Sequence, residues 1–194
     1  IIAIRVNAAD VEISGTQATR EDLQDSSTLT ISGTLDGDLN NIVRGYIAAG
    51  NEIDNATVVV DSGGTIQGQS NAIMGRETDS LTVINSGTIE ATSSKAIQLR
   101  DAQNATITNK SGGTIFANTN AIVQQSAGTE DAENTTITNA GTIYSVNDRA
   151  IYFYDGATSA TITNQKGGII YNTASDATVP VSYTHLRAHE TVSD

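Results

Sequence analysis

Two neighbouring pairs carry the charge types of a polysaccharide lyase, a carboxylate base beside a guanidinium: Arg100 with Asp101, and Asp148 with Arg149. Residues adjacent on a strand point to opposite faces, which weakens both pairs as a lyase site without closing that chemistry. The two histidines are His185 and His189, and cysteine is absent. The chain up to residue 180 therefore lacks both usual arrangements of nucleophile and base. A second set is acidic: Glu77 and Asp79, Asp101, Glu130 with Asp131 and Glu133, and Asp155. Stacked on one edge they could offer oxygens to Ca²⁺, which takes about six to eight. Their loops differ in length and no Gly-Gly-x-Gly-x-Asp repeat is present, which favours a solvated acidic rim. The sequence predicts no catalytic residue, no cofactor and no bound metal.

A third set is hydroxylic. Thr28 and Thr30, Thr106 and Thr108, Thr136 and Thr138, and Thr161 and Thr163 form outward pairs of the kind an ice-binding β-solenoid presents, with Val58/Val60 and Thr82/Ile84 interrupting the series. Threonine is favoured on any exposed pleat, so the array by itself is decoration.

The elements that position these residues are repeats. The central copy runs Asn104-Ala105-Thr106-Ile107-Thr108-Asn109, then Gly113-Thr114-Ile115, then Ala121-Ile122. Edited copies flank it: Thr82-Val83-Ile84-Asn85 with Gly87-Thr88-Ile89 and Ala96-Ile97, and Thr136-Ile137-Thr138-Asn139 with Gly141-Thr142-Ile143 and Ala150-Ile151. The apolar residue after Gly-Thr recurs at 35, 66, 89, 115, 143 and 170, in steps of 23 to 31 residues. Such a period with short β-rich pieces marks a solenoid, whose repeats bury their apolar sides only against one another. The fold class expected is all-β: a right-handed parallel β-helix of about seven coils, with three parallel sheets around one narrow core.

Alternation within the central copy puts Ile107 and Asn109 on one face and Thr106 and Thr108 on the other. Ile107 must point inward, so Asn109 does too. Three inward columns follow: Val59, Val83, Ile107, Ile137 and Ile162; Ile66, Ile89, Ile115, Ile143 and Ile170; and Ile73, Ile97, Ile122 and Ile151. Asn85, Asn109, Asn139 and Asn164 are expected to stack as a structural amide ladder, with Asp61 in register and Ile31 in the earliest copy. Gly-rich pieces such as Ser62-Gly63-Gly64-Thr65 and Ser111-Gly112-Gly113-Thr114 lack the Lys and the helix of a phosphate cradle and read as corners. Asn55-Ala56-Thr57, Asn104-Ala105-Thr106 and Asn134-Thr135-Thr136 fit a glycosylation pattern that the repeat already explains.

Charge narrows the partners. With 22 acids against 10 Lys and Arg, a net charge of -12 disfavours nucleic acid and anionic membrane surfaces. Without cysteine there are no disulfides or thiolate metal sites. Residues 1–178 read as one β-helix domain, a fragment of a longer protein. Residues 179–194 read as a non-native tail: 181–191 follow the single proline, carry no repeat mark and resemble the translated read-through of a sequencing adaptor.

The combination of Thr-Ile-Thr-Asn, Gly-Thr-Ile and Ala-Ile, over about residues 28 to 175, resembles the β-helical passenger region of bacterial autotransporters (type V secretion). The resemblance implies export as an extended chain and display on the cell surface, attached through a translocator barrel outside this stretch. It also implies a non-enzymatic stalk or adhesin role, with a host or bacterial surface protein or glycan as partner. No catalytic motif carries over from it. The alternatives are a polysaccharide-active β-helix enzyme and an ice-binding β-solenoid.

Overall fold

The computed structural model describes residues 4–5, 10–37, 41–45, 53–126, 133–154, 157–173 and 181–182. Among them there is no helix, and every strand pairs parallel with its neighbours. The chain winds as a β-solenoid with three main sheets of seven, seven and eight strands. Five coils carry strands of four to six residues in all three sheets, and a partial coil stands before and after them. The about seven coils expected thus resolve into five complete and two partial ones.

The first sheet stacks Val11–Ile13, Thr28–Ile31, Thr57–Val60, Thr82–Asn85, Thr106–Asn109, Thr136–Asn139 and Thr161–Asn164. The second, beginning with the Gly-Thr-Ile mark, runs from Thr16–Gln17 through Thr65–Gly68 and Thr114–Ala117 to Ile169–Asn172. The third holds the Ala-Ile strands, among them Asn71–Arg76, Ile97–Arg100, Ile122–Gln125 and Ile151–Tyr154. β-Branched residues suit these pleated positions, and alternation sends every second side chain inside.

Stacking is in register, so like lies on like. Val83, Ile107, Ile137 and Ile162 pair in succession, as do Leu35, Ile66, Ile89, Ile115, Ile143 and Ile170, and Val43, Ile73, Ile97, Ile122 and Ile151. These side chains are buried except Ile162 and Ile170 in the last coil, which are partly buried. Each buried Ile contributes about 1.5–3 kcal/mol over its exposed state. The small residues behind them, Gly68, Ala91, Ala117 and Ser145, are buried too and let the second sheet approach its corner.

One predicted register is wrong. Val58, not Val59, pairs with Val83 and is buried, while Val59 points outward and is half-buried. Val60, not Asp61, pairs with Asn85, and Asp61 is an exposed corner residue. Three consecutive valines give alternation no phase to read, because every one of them is acceptable inside. The corner fixes the phase instead. Val60 precedes Gly64 by four residues as Asn109 precedes Gly113, and in both corners the third residue of the turn is a glycine at positive φ, Gly63 at 90° and Gly112 at 86°. Asn85 and Asn139 enter a corner two residues shorter that has no such glycine.

At the end of the third sheet Val181 pairs with Ile151 and Ser182 with Tyr152, within the segment that follows the single proline. The remainder of that segment lies outside the described residues.

One buried side chain is out of place chemically. Gln124 occupies an inward position between Leu99 and Phe153, is 0% exposed, and neither its amide oxygen nor its nitrogen has a hydrogen-bond partner. Gln124→Leu is expected to stabilise the fold by about 1–3 kcal/mol, the desolvation penalty of an unsatisfied polar group. A rise in the urea midpoint at constant slope checks it.

Candidate functional site

Inside the first sheet the amide ladder is continuous. Asn85 Nδ2 donates to Asn109 Oδ1, Asn109 Nδ2 to Asn139 Oδ1, and Asn139 Nδ2 to Asn164 Oδ1, each at 2.8 Å. The same nitrogens reach corner carbonyls: Asn109 Nδ2 lies 3.2 Å from Gly113 O and 3.1 Å from Thr142 O. At the head of the row Asn85 Oδ1 accepts from Gly87 N at 3.2 Å. Asn85, Asn109 and Asn139 are 0% exposed, and Asn164 is exposed. Below Asn85 the position is filled by Ile31 and Val60, so the ladder begins where an aliphatic column stops. With their amides engaged inside the wall, Asn85, Asn109 and Asn139 tie each coil to the next.

The corner that leads into the first sheet was not foreseen. Two residues before each strand, Ser26, Asn55, Ser80, Asn104, Asn134 and Ser159 all adopt positive φ between 52° and 58°. Asn and Ser tolerate this left-handed geometry through their short polar side chains. Their recurrence at a fixed offset was the available signal. The three Asn-x-Thr triplets are this corner followed by a strand threonine, and Asn55, Asn104 and Asn134 are exposed there. Asn134 Nδ2 donates to Asn104 Oδ1 at 3.2 Å and Asn104 Nδ2 to Asp79 Oδ1 at 2.8 Å, a second, external row.

The charged candidates are dispersed. Arg100 Nε lies 3.9 Å from the buried Asp101 carboxylate at the end of one third-sheet strand, and Arg149 Nη1 lies 3.0 Å from Asp148 at the entry to another. The two pairs belong to different coils, with one strand of the sheet between theirs, and to opposite ends of their strands. Glu77 pairs with Arg76 at 3.0 Å, and Asp79 and Glu133 are separated by Gln103 in a column of parallel bridges. Among the described residues no three His, Cys, Asp or Glu side chains group as a metal site. Glu130, Asp131 and Asp155 lie outside the described residues. Burial pushes the Glu21 carboxyl above its ordinary range, the Thr19 hydroxyl opposes this and Asp22 adds to it. The neighbouring Asp22 is held between Arg20 at 3.1 Å and Arg44 at 2.9 Å.

What differs from place to place is the outside. On the first sheet one outward column reads Thr28, Thr57, Thr82, Thr106, Thr136 and Thr161, and the other Thr30, Val59, Ile84, Thr108, Thr138 and Thr163. The corrected register closes the gap in the first of these columns, because Thr57 takes its place in it. On the second sheet the column after the inward Ile changes from Asp36, Gln67 and Glu90 to Phe116, Tyr144 and Tyr171. The three rings stack at 4.6 Å and 5.1 Å between centroids. Burial, with smaller pushes from Tyr171 and Glu90, holds the Tyr144 phenol above its usual value.

No family model, curated protein or solved structure matches the chain. The remaining outer surface is the third sheet, where Arg76 and Arg100 give way to Gln125 and Tyr154 along one column. Asn71 donates to Gln98 at 3.0 Å, Gln98 to Gln125 at 3.3 Å, and the Tyr154 hydroxyl to Gln125. Arg149 lies over the Tyr152 ring, 4.5 Å from its centroid. The three outer faces are thus a hydroxyl and methyl face, an acid-to-aromatic face and an arginine-to-tyrosine face.

Proposed function

We propose that the chain is a non-enzymatic rod, a stalk or adhesin segment of the autotransporter passenger type, displayed at a cell surface. The observation that carries this reading is the in-register core. Most inward positions are filled coil after coil by aliphatic side chains and an amide ladder, with Gln124 an exception, so most of the chemical variety lies on the outer faces. A stack of this kind transmits length and rigidity, because each coil is fixed to the next by backbone ladders on three sides. Contacts with a surface protein or glycan then fall on the outer faces. Among the described residues, the dispersal of the Arg100–Asp101 and Asp148–Arg149 pairs over two coils speaks against a lyase site built from both.

The test is to substitute the full chain for the passenger of a heterologous autotransporter, then to shave intact cells with protease and assay the released protein on acidic polysaccharides. Export, release as a folded β-rich fragment and unchanged polysaccharide are expected. Retention inside the cell overturns the surface-rod reading, and new unsaturated sugar ends overturn the non-enzymatic one.

A further inference from the structure

We propose that the outward face of the first sheet binds ice. This inference stands apart from the surface-rod reading and needs no exported context. The argument begins with charge. The chain carries 22 acids, yet from Thr28 to Thr163 the two outward columns of this sheet contain none, and no Lys or Arg either. The other two faces each hold charge, Asp36 and Glu90 on one, Arg76 and Arg100 on the other. Glu12, opposite Thr30 in the strand that begins the sheet, is the charge that flanks this stretch. A charged protein, nucleic acid or acidic glycan would be matched by opposite charge, and the six strands of this face from Thr28 to Thr163 offer none.

Its chemistry is instead a repeat of one hydroxyl and one methyl per threonine. A hydroxyl both donates and accepts, as each water of an ice lattice does. The methyl groups beside it present apolar surface over which water orders without being pulled out of a lattice position. The two positions that are not Thr, Val59 and Ile84, keep a β-branched methyl in the same row. Repetition is set by the fold: rungs stand about 4.8 Å apart and outward residues on one strand about 6.6 Å apart. Pairing keeps one register across six successive strands. Threonine is stiff at χ1, so the array is largely ordered before it meets a surface and little side-chain freedom is lost on adsorption. An irregular protein partner has no use for such a lattice of neutral groups; a crystal of water has the same two-dimensional regularity and the same neutrality.

The experiment uses the full 194-residue chain and its single-site variants Thr106→Lys and Thr136→Lys, with Thr114→Lys on the second sheet as control. Single ice crystals are grown in each solution, and their shape and growth rate within the thermal hysteresis gap are recorded. Circular dichroism melts establish that each variant is folded. The wild type is expected to facet the crystals and to slow recrystallisation. Thr106→Lys and Thr136→Lys are expected to abolish both effects, and Thr114→Lys to leave them intact. Round, unshaped crystals with the wild type overturn the proposal, as does faceting by Thr106→Lys or equal loss in Thr114→Lys. Should lysine unfold the chain, fluorescently tagged wild type decides the matter, by coating the ice surface or staying in the liquid.

Discussion

Gly141→Ala is expected to destabilise the fold by about 3 kcal/mol or more, whereas Gly112→Ala, in the preceding corner, costs about 1–2 kcal/mol. Both are corner glycines, but different physics acts on them. A Cβ at Gly141 would stand 2.3 Å from Gly113 O and 2.5 Å from Lys110 O, both backbone atoms of the coil beneath. Nothing flexible can yield there. The two coils must separate, and with them the rungs spaced about 4.8 Å apart that carry the inter-coil hydrogen bonds. The same close approach recurs at Gly64 and Gly87, where the nearest backbone oxygens lie at 2.1 Å and 2.2 Å. Gly112 meets nothing within 4 Å, so its substitution carries only the strain of a positive φ, 86°. Urea denaturation of the two variants at equal slope measures the difference. Similar losses in both would show that the coils can move apart at little cost.

The glycine in each Gly-Thr-Ile mark is therefore more than punctuation, and it explains why the fold could be read so far from sequence. Columns such as Ile66, Ile89, Ile115 and Ile143 were legible because a solenoid repeats one environment, and one environment selects one residue type. Asn109 was legible as an inward residue because it lies two positions from Ile107. Legibility failed where the environment does not discriminate. Val58, Val59 and Val60 are all tolerated inside, so only the spacing to Gly64 reveals which of them is. The left-handed corner column escaped because it is shared between Ser26, Ser80 and Ser159 and Asn55, Asn104 and Asn134. Two residue types answer the same backbone demand there, and the Asn-x-Thr pattern drew notice to a covalent modification instead. The acid-to-aromatic column was missed for a related reason: outward positions are selected by what they meet outside, and Glu90 beside Phe116 breaks no rule of the fold.

That reasoning separates the amide ladder from the outer faces and gives it a sharp test. Asn109→Ala is expected to lower stability by about 3 kcal/mol, while Asn164→Ala lowers it by less than about 1 kcal/mol. Each removes one rung of the same row. Asn109 is 0% exposed, donates to Asn139 Oδ1 at 2.8 Å and accepts from Asn85 Nδ2 at 2.8 Å. Its loss leaves Asn139 Oδ1 without its donor, opens a cavity and withdraws the contact to Thr142 O at 3.1 Å. The loss is moderated because Asn85 Nδ2 keeps Gly87 O at 3.2 Å and Thr114 O at 3.1 Å. Asn164 is exposed at its end of the row, so water replaces what it gives Asn139. Asn109→Leu refines the comparison. Leucine fills the volume and matches the aliphatic character of Ile31 and Val60 at the same position, so it is expected to recover the cavity part of the loss and not the polar part. If Asn109→Leu is as stable as the wild type, the row is a passive filler and coil cohesion rests on the aliphatic columns alone. If it remains well below the wild type, a buried amide has become obligatory once its neighbours are amides too, and the change from Val60 to Asn85 marks where along the rod that commitment begins.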